Sequence, residues 1–164
     1  MPMRSTTAEE KRNRYRELGL QVKGLLELET DAIALMANVA SAVHAALPYA
    51  SWTGFYRVVA PGHLRVGPFQ GPVACVDIPF ERGVCGAAAR SGSTQRVADV
   101  HAFPGHIACD AATRSELVVP LIDAQGRVFA VLDLDSHLEA AFDEIDQQEV
   151  ELLVQEISPH LSAA

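Results

Sequence analysis

The residues able to do chemistry in this 164-residue sequence concentrate between Cys75 and Asp135. Three thiols, Cys75, Cys85 and Cys109, stand in the segments GPFQGPVACVDIP, GVCGAAA and HIACDAATRSELVVP, and a carboxylate-rich strand, LDLDS, follows at 132–136. A thiolate is a nucleophile that oxidises reversibly. Crowded carboxylates hold a cation or keep a proton. Together these groups suit redox chemistry on a small ligand.

An odd number of cysteines cannot pair off completely, and residues 1–30 contain no apolar signal core before a small-residue cleavage site. A reducing, cytoplasmic setting is therefore expected. Free cysteine also serves as a small buried hydrophobe. Cys85, followed by Gly86 and Ala87 to Ala89, fits that role by spacing, whereas Cys109 lies in a polar stretch without periodicity, where exposure and thiolate formation are expected. Zinc is the rival use of the thiols, with His101 or His106 completing the set. The intervals of 9 and 23 residues lack the closely spaced cysteine pair of structural zinc sites.

The acids are organised by a hairpin. SELVVPLI (115–122) and RVFAVLDLDS (127–136) flank a DAQG turn. With Asp123 to Gly126 as the turn and symmetric pairing, opposed residue numbers sum to 249, which sets Glu116 across from Asp133 with Asp135 one pair further along the same face. Opposed Cβ atoms are then ~5 Å apart and diagonal ones ~7 Å. Phe129 and Val131 are expected on that face, so it runs from core into a carboxylate-lined mouth. A one-residue bulge would break the register. Acids this close need a cation, such as the ammonium of a free amino acid, or a proton retained on one of them, which can then be donated to a developing oxyanion. The bland alternative has Asp133 and Asp135 merely ending a surface strand, and Glu116 paired with Arg114 or solvent.

The positioning elements follow from periodicity. Leu25, Leu28, Ala32, Met36, Val39, Val43 and Leu47 predict an amphipathic helix from Leu20 to Leu47, with Gly24 as a point of division. Strands are expected at 51–59, 64–69, 74–80 and 94–100, a short helix carrying Cys85 at 83–92, and a long loop at 101–114. Asp143 caps a last helix through Ile145, Val150, Leu153, Val154, Ile157 and Leu161. The expectation is a single α+β domain at 21–164, an antiparallel sheet with its N- and C-terminal helices packed together, behind an N-terminal extension at 1–20. His44, His63, His137 and His160 read as isolated, facing solvent or satisfied locally.

Thirteen Lys and Arg against 21 Asp and Glu leave a net charge of −8, a field that repels phosphate backbones and argues against nucleic acid. The basic run KRNRYR (11–16) reads as a solvated helix face or a frayed end. Charges interrupt every apolar run short of the ~20 residues of a membrane span.

The strings WTGFY (52–56), GPFQGPVACVDIPFERGVCG (67–86), RVADVHAFPGHIACDAATRSELVVPL (96–121) and VLDLDS (131–136) resemble the free methionine-(R)-sulfoxide reductases, small enzymes built on a GAF domain. The resemblance runs from about Trp52 to the end of the final helix. It implies that Cys109 attacks the sulfoxide sulfur and becomes a sulfenic acid as methionine leaves, that Cys75 resolves it as a disulfide, and that Cys85 is a secondary or alternative resolving thiol. It further implies Glu116, Asp133 and Asp135 as substrate carboxylates, with an acid held neutral near the thiolate to protonate the departing oxygen, and Trp52 and Tyr56 as the aromatic pocket wall. Thioredoxin is the implied reductant, with no bound cofactor, and a homodimer is the implied assembly. A ligand-binding GAF sensor, which usually relays to an output domain, or a thiol redox sensor would use the same groups without turnover.

Overall fold

The apolar pattern expected to form one helix from Leu20 to Leu47 forms two, α1 (Ala8–Leu28) and α2 (Ala32–Ala46), in the computed structural model, which describes residues 6–107 and 109–162. The division falls at Glu29–Asp31 and not at Gly24. There the Glu29 carboxylate accepts the N–H groups of Thr30 and Asp31, and Asp31 caps α2 by accepting from Ala34 at 2.8 Å. Side-chain acceptors that compete for backbone donors end one helix and start the next. The polar N-terminal residues also fold into α1, opened by a capping box between Thr7 and Glu10. The basic run is not a solvated face throughout. Lys11 and Tyr15 are buried, and the Lys11 ammonium donates to Asp143 at 2.8 Å and Asp146 at 2.7 Å.

Six antiparallel strands form one sheet: β1 (Trp52–Ala60), β2 (His63–Gln70), β3 (Asp77–Pro79), β4 (Gln95–Val97), β5 (Ser115–Ile122) and β6 (Val128–Ser136), in the order β3-β2-β1-β6-β5-β4. The strands expected at 74–80 and 94–100 shrink to three residues each, and a 3-10 turn at Val100–Ala102 opens the expected loop. Successive side chains alternate between faces. Phe55, Leu117, Leu121, Leu132 and Leu134 therefore pack on one side against α1, α2 and α4 (Glu144–Leu161). Tyr56, Leu64, Val118 and Val131 face the other side, beneath α3 (Gly83–Ser91). Gly86 lets α3 sit close to the chain before it, because a Cβ there would lie 2.7 Å from the carbonyl oxygens of Pro79 and Phe80. Both faces of β5 and β6 are covered. The N- and C-terminal helices pack together, as expected. No described helix is long and apolar enough to cross a membrane.

The hairpin register differs from expectation. From Ser115↔Ser136 to Leu121↔Ala130, paired numbers sum to 251, so Glu116 opposes Asp135 and Asp133 opposes Val118. The cause is two one-residue slips in the same direction. The first is the turn, where Asp123 N–H donates to the Arg127 carbonyl at 2.8 Å and the Asp123 carboxylate accepts from Gln125 and Arg127, so that Ile122 pairs with Val128. The second is a bulge that leaves Phe129 unpaired. One slip would have turned the acids to the helix side; two restore the parity. Phe129 itself lies against the helix-side core and not on the acid face.

Candidate active site

Glu116 on β5 and Asp133 and Asp135 on β6 converge on the α3 side of the sheet, each offering a carboxylate oxygen within 4.8 Å of the others. Glu116 is 8% exposed and Asp133 5%. Arg114, the alternative partner for Glu116, pairs instead with Glu139 at 3.0 Å. Among the described residues no Lys or Arg pairs with any of the three acids, and one oxygen each of Asp133 and Asp135 is buried without a hydrogen bond. Burial first, then the neighbouring negative charges, pushes Glu116 and Asp133 well above the usual carboxylate range. Asp135 is raised to about 7, mainly by burial, with a hydrogen bond from Asp133 opposing the rise. The cluster thus retains protons near neutrality and leaves acceptor oxygens open, a cradle suited to a small cation.

Cys85 enters from the first turn of α3, buried at 4% exposure. Its thiol is pushed up by burial and then by Asp133, to which it hydrogen-bonds. Cys75, from the loop between β2 and β3, and Cys109, from the segment before β5, are bonded as a disulfide with their Cα atoms 5.4 Å apart. The zinc ligand set does not assemble: His101 and His106 face each other with ring centroids 6.4 Å apart, and neither is grouped with a cysteine at ligating distance among the described residues.

Trp52 and Tyr56 form the aromatic wall. They stack at 5.7 Å, and Trp52 also stacks on Phe69 at 5.1 Å. Both do more than line the cleft. The Trp52 indole N–H donates to the Pro72 carbonyl at 3.1 Å and the Tyr56 hydroxyl to the Cys75 carbonyl at 3.3 Å, so the wall also holds the loop that carries Cys75. Gly71, at a φ of +122°, permits this approach, since a Cβ there would press on Trp52. A cleft partly open to solvent lies between wall, α3, acids and disulfide. A concave site with an aromatic wall and a few convergent polar groups suits a small-molecule ligand.

Two residues at the site escaped the sequence reading. His137, expected to be isolated, has its Nε2 2.8 Å from the Asp110 carboxylate, next to Cys109. No local pattern joins these positions; only the meeting of the segment after the 3-10 turn with the end of β6 does.

A sheet with helices packed on one face and a ligand cleft on the other is the layout of the GAF domain, and the GAF-domain family matches residues 29–162. Protein YtsP of Bacillus subtilis (strain 168) is 49% identical over 140 residues, 85% of each chain. The free methionine-R-sulfoxide reductase of Escherichia coli (strain K12) is 40% identical over 148 residues, covering 90% of this chain and 88% of that one. The X-ray structure of free methionine-R-sulfoxide reductase from Neisseria meningitidis, in complex with its substrate, superposes with a TM-score of 0.89 at 42% identity over 99% of this chain and 97% of that one. The chain belongs to the free methionine-R-sulfoxide reductases, a family of GAF-domain oxidoreductases.

Proposed function

We propose that this protein reduces free L-methionine-(R)-sulfoxide to methionine through a Cys109 sulfenic acid and a Cys75–Cys109 disulfide recycled by thioredoxin. The observation that carries the reading is the disulfide itself, set at a cleft whose acids pair with no Lys or Arg among the described residues. The identity of the substrate rests on the named relatives.

The ammonium of a free amino acid supplies the missing cation, donating to the open oxygens of Asp133 and Asp135. The thioether end lies against Trp52 and Tyr56, where sulfur and methyl meet aromatic rings favourably. A sulfoxide oxygen departs only once protonated, and the buried acids hold the proton it needs. The Cys109 thiolate attacks the sulfur as an acid protonates the oxygen. The hydroxyl then passes to the Cys109 sulfur while the transient S–S bond and the S–O bond to substrate break, leaving Cys109 as the sulfenic acid and methionine free. The Cys75 thiol then displaces that oxygen as water and closes the disulfide. A dithiol reductant of the thioredoxin type reopens it. Cys85, whose thiol is pushed up by burial, is poorly ionised and serves as a secondary resolving thiol.

The test is NADPH oxidation coupled through thioredoxin, with the free R epimer, the S epimer and a peptide-bound sulfoxide as substrates. Turnover of the free R epimer alone is expected. Cys109→Ser abolishes reduction even with dithiothreitol, and Cys75→Ser keeps the first turnover but loses recycling. Binding of the amino acid with no NADPH consumed would make the domain a sensor instead.

A further inference from the structure

The proposed chemistry leaves one polar contact beside Cys109 unused. Asp110 accepts from His137 Nε2 at 2.8 Å through one carboxylate oxygen and from the Ala112 N–H at 2.9 Å through the other. His137 lies just past β6, two residues after Asp135. The Cys109 segment is anchored at its ends by backbone bonds, Gly83 N–H to the Gly105 carbonyl and Arg114 N–H to the Ser136 carbonyl. Between those anchors, the Asp110–His137 contact is the one side-chain hydrogen bond to another part of the chain among the described residues. Ile107 also packs against the α3-side core, and the Cys75–Cys109 disulfide is the covalent tie. Turnover opens that disulfide just when Cys109 has to stand over the acids.

We propose that Asp110 and His137 form a positioning latch that keeps the Cys109 thiol at the cleft while the disulfide is open. The proposal rests on the reading of Cys109 as nucleophile. The latch is electrostatically quiet as well as mechanical. Asp110 raises the proton affinity of Asp135 and His137 lowers it, so the two effects oppose each other at the acid cluster as long as the pair is together.

Reduced wild type, His137→Phe and His137→Gln are alkylated with iodoacetamide and the cysteine-bearing peptides followed by mass spectrometry, alongside first-turnover rates and substrate affinity. Release of the latch frees the Cys109 segment between its backbone anchors and exposes the thiol to the reagent. His137→Phe is therefore expected to alkylate at Cys109 about fivefold faster or more, with Cys85 still protected. Its first turnover slows about tenfold with substrate affinity held within about twofold, as displacement of one reacting group predicts. In His137→Gln the side-chain amide can donate to Asp110, and both quantities return to within about twofold of wild type. Asp110→Asn, which removes the charge from the other partner, moves Cys109 alkylation in the same direction as His137→Phe. An unchanged Cys109 alkylation rate in both His137→Phe and Asp110→Asn, or a Gln variant that behaves as Phe does, overturns the latch. If wild type shows no sulfoxide turnover, the alkylation arm still decides the latch and only the reductase reading falls.

Discussion

Two groups of buried carboxylates occupy this small domain, and they are opposites. At the helical end, Asp146 is fully buried yet saturated: its carboxylate takes Lys11 at 2.7 Å, Tyr15 at 2.7 Å and Tyr49 at 2.5 Å, and Asp143 shares the Lys11 ammonium at 2.8 Å. In the cleft, Glu116, Asp133 and Asp135 crowd together, paired with no ammonium or guanidinium among the described residues and with oxygens left over. The first group fastens α1 and α4 to the chain entering β1. The second takes no counter-charge to offset its crowding, and its mutual repulsion works against the fold. A burial that weakens the protein is one whose benefit lies outside folding, in what the site binds.

The sharpest way to break this contrast is to remove the cation from the helical group. Lys11→Met leaves Asp146 buried without its counter-charge and is expected to cost about 3–5 kcal/mol in urea unfolding, while kcat/KM of the folded protein stays near wild type. In the cleft the roles invert. Glu116→Gln and Asp135→Asn are each expected to lower kcat/KM about 100-fold or more with stability unchanged or improved. Near-normal rates, or a loss of stability as large as that of Lys11→Met, would erase the distinction.

A smaller effect tests what fills the cradle. An N-acetylated sulfoxide has no ammonium and leaves the buried acids unpaired, a loss of about 1–3 kcal/mol that reads as a fall in kcat/KM of roughly 5- to 150-fold. Equal activity on free and acetylated substrate would assign the acids another task.

The effect that is smallest per step is in the pH dependence of stability. Asp135 in the folded protein holds its proton up to about pH 7, whereas in the unfolded chain an aspartate releases it near pH ~4. Across that window the folded state binds more protons, so stability falls as pH rises, by at most about 1.4 kcal/mol per unit. Asp143, where burial raises the carboxyl but the Lys11 ammonium and the Asp146 N–H together outweigh it and hold it below its usual range, has the opposite sign: its contribution is lost as pH falls through its lowered value. Urea titrations from pH 4.5 to 7.5 should therefore show Asp135→Asn gaining on wild type as pH rises. A flat difference would mean that Asp135 is charged throughout.

What the sequence made legible was whatever has a short period or a distinctive string. Alternation along 115–122 and 128–136 gave the hairpin and the shared face of the acids, and the motif strings gave the disulfide partners. Contacts between distant segments stayed hidden. Lys11 and Asp146 are 135 positions apart, and a basic run at a polar N-terminus carries no mark of burial. Asp110 and His137 are 27 apart with no repeating pattern between them. The register was missed for a different reason: a turn and a bulge are each decided by a few local hydrogen bonds, and strand periodicity is silent about both.

The bulge at Phe129 also sets where the gene can tolerate changes in length. The pairs that fix the acids begin at Leu121↔Ala130 on one side of β6 and Arg57↔Ala130 on the other, both beyond the unpaired residue. The exposed turn at 123–127 is therefore the tip where an insertion, a deletion or an engineered label can be absorbed before the chain reaches Ala130. From Ala130 to Ser136 there is no such slack. One codon gained or lost there would turn Leu132 and Leu134 toward the cleft and send the carboxylates into the helical core. Homologues that differ in length should show it at the tip.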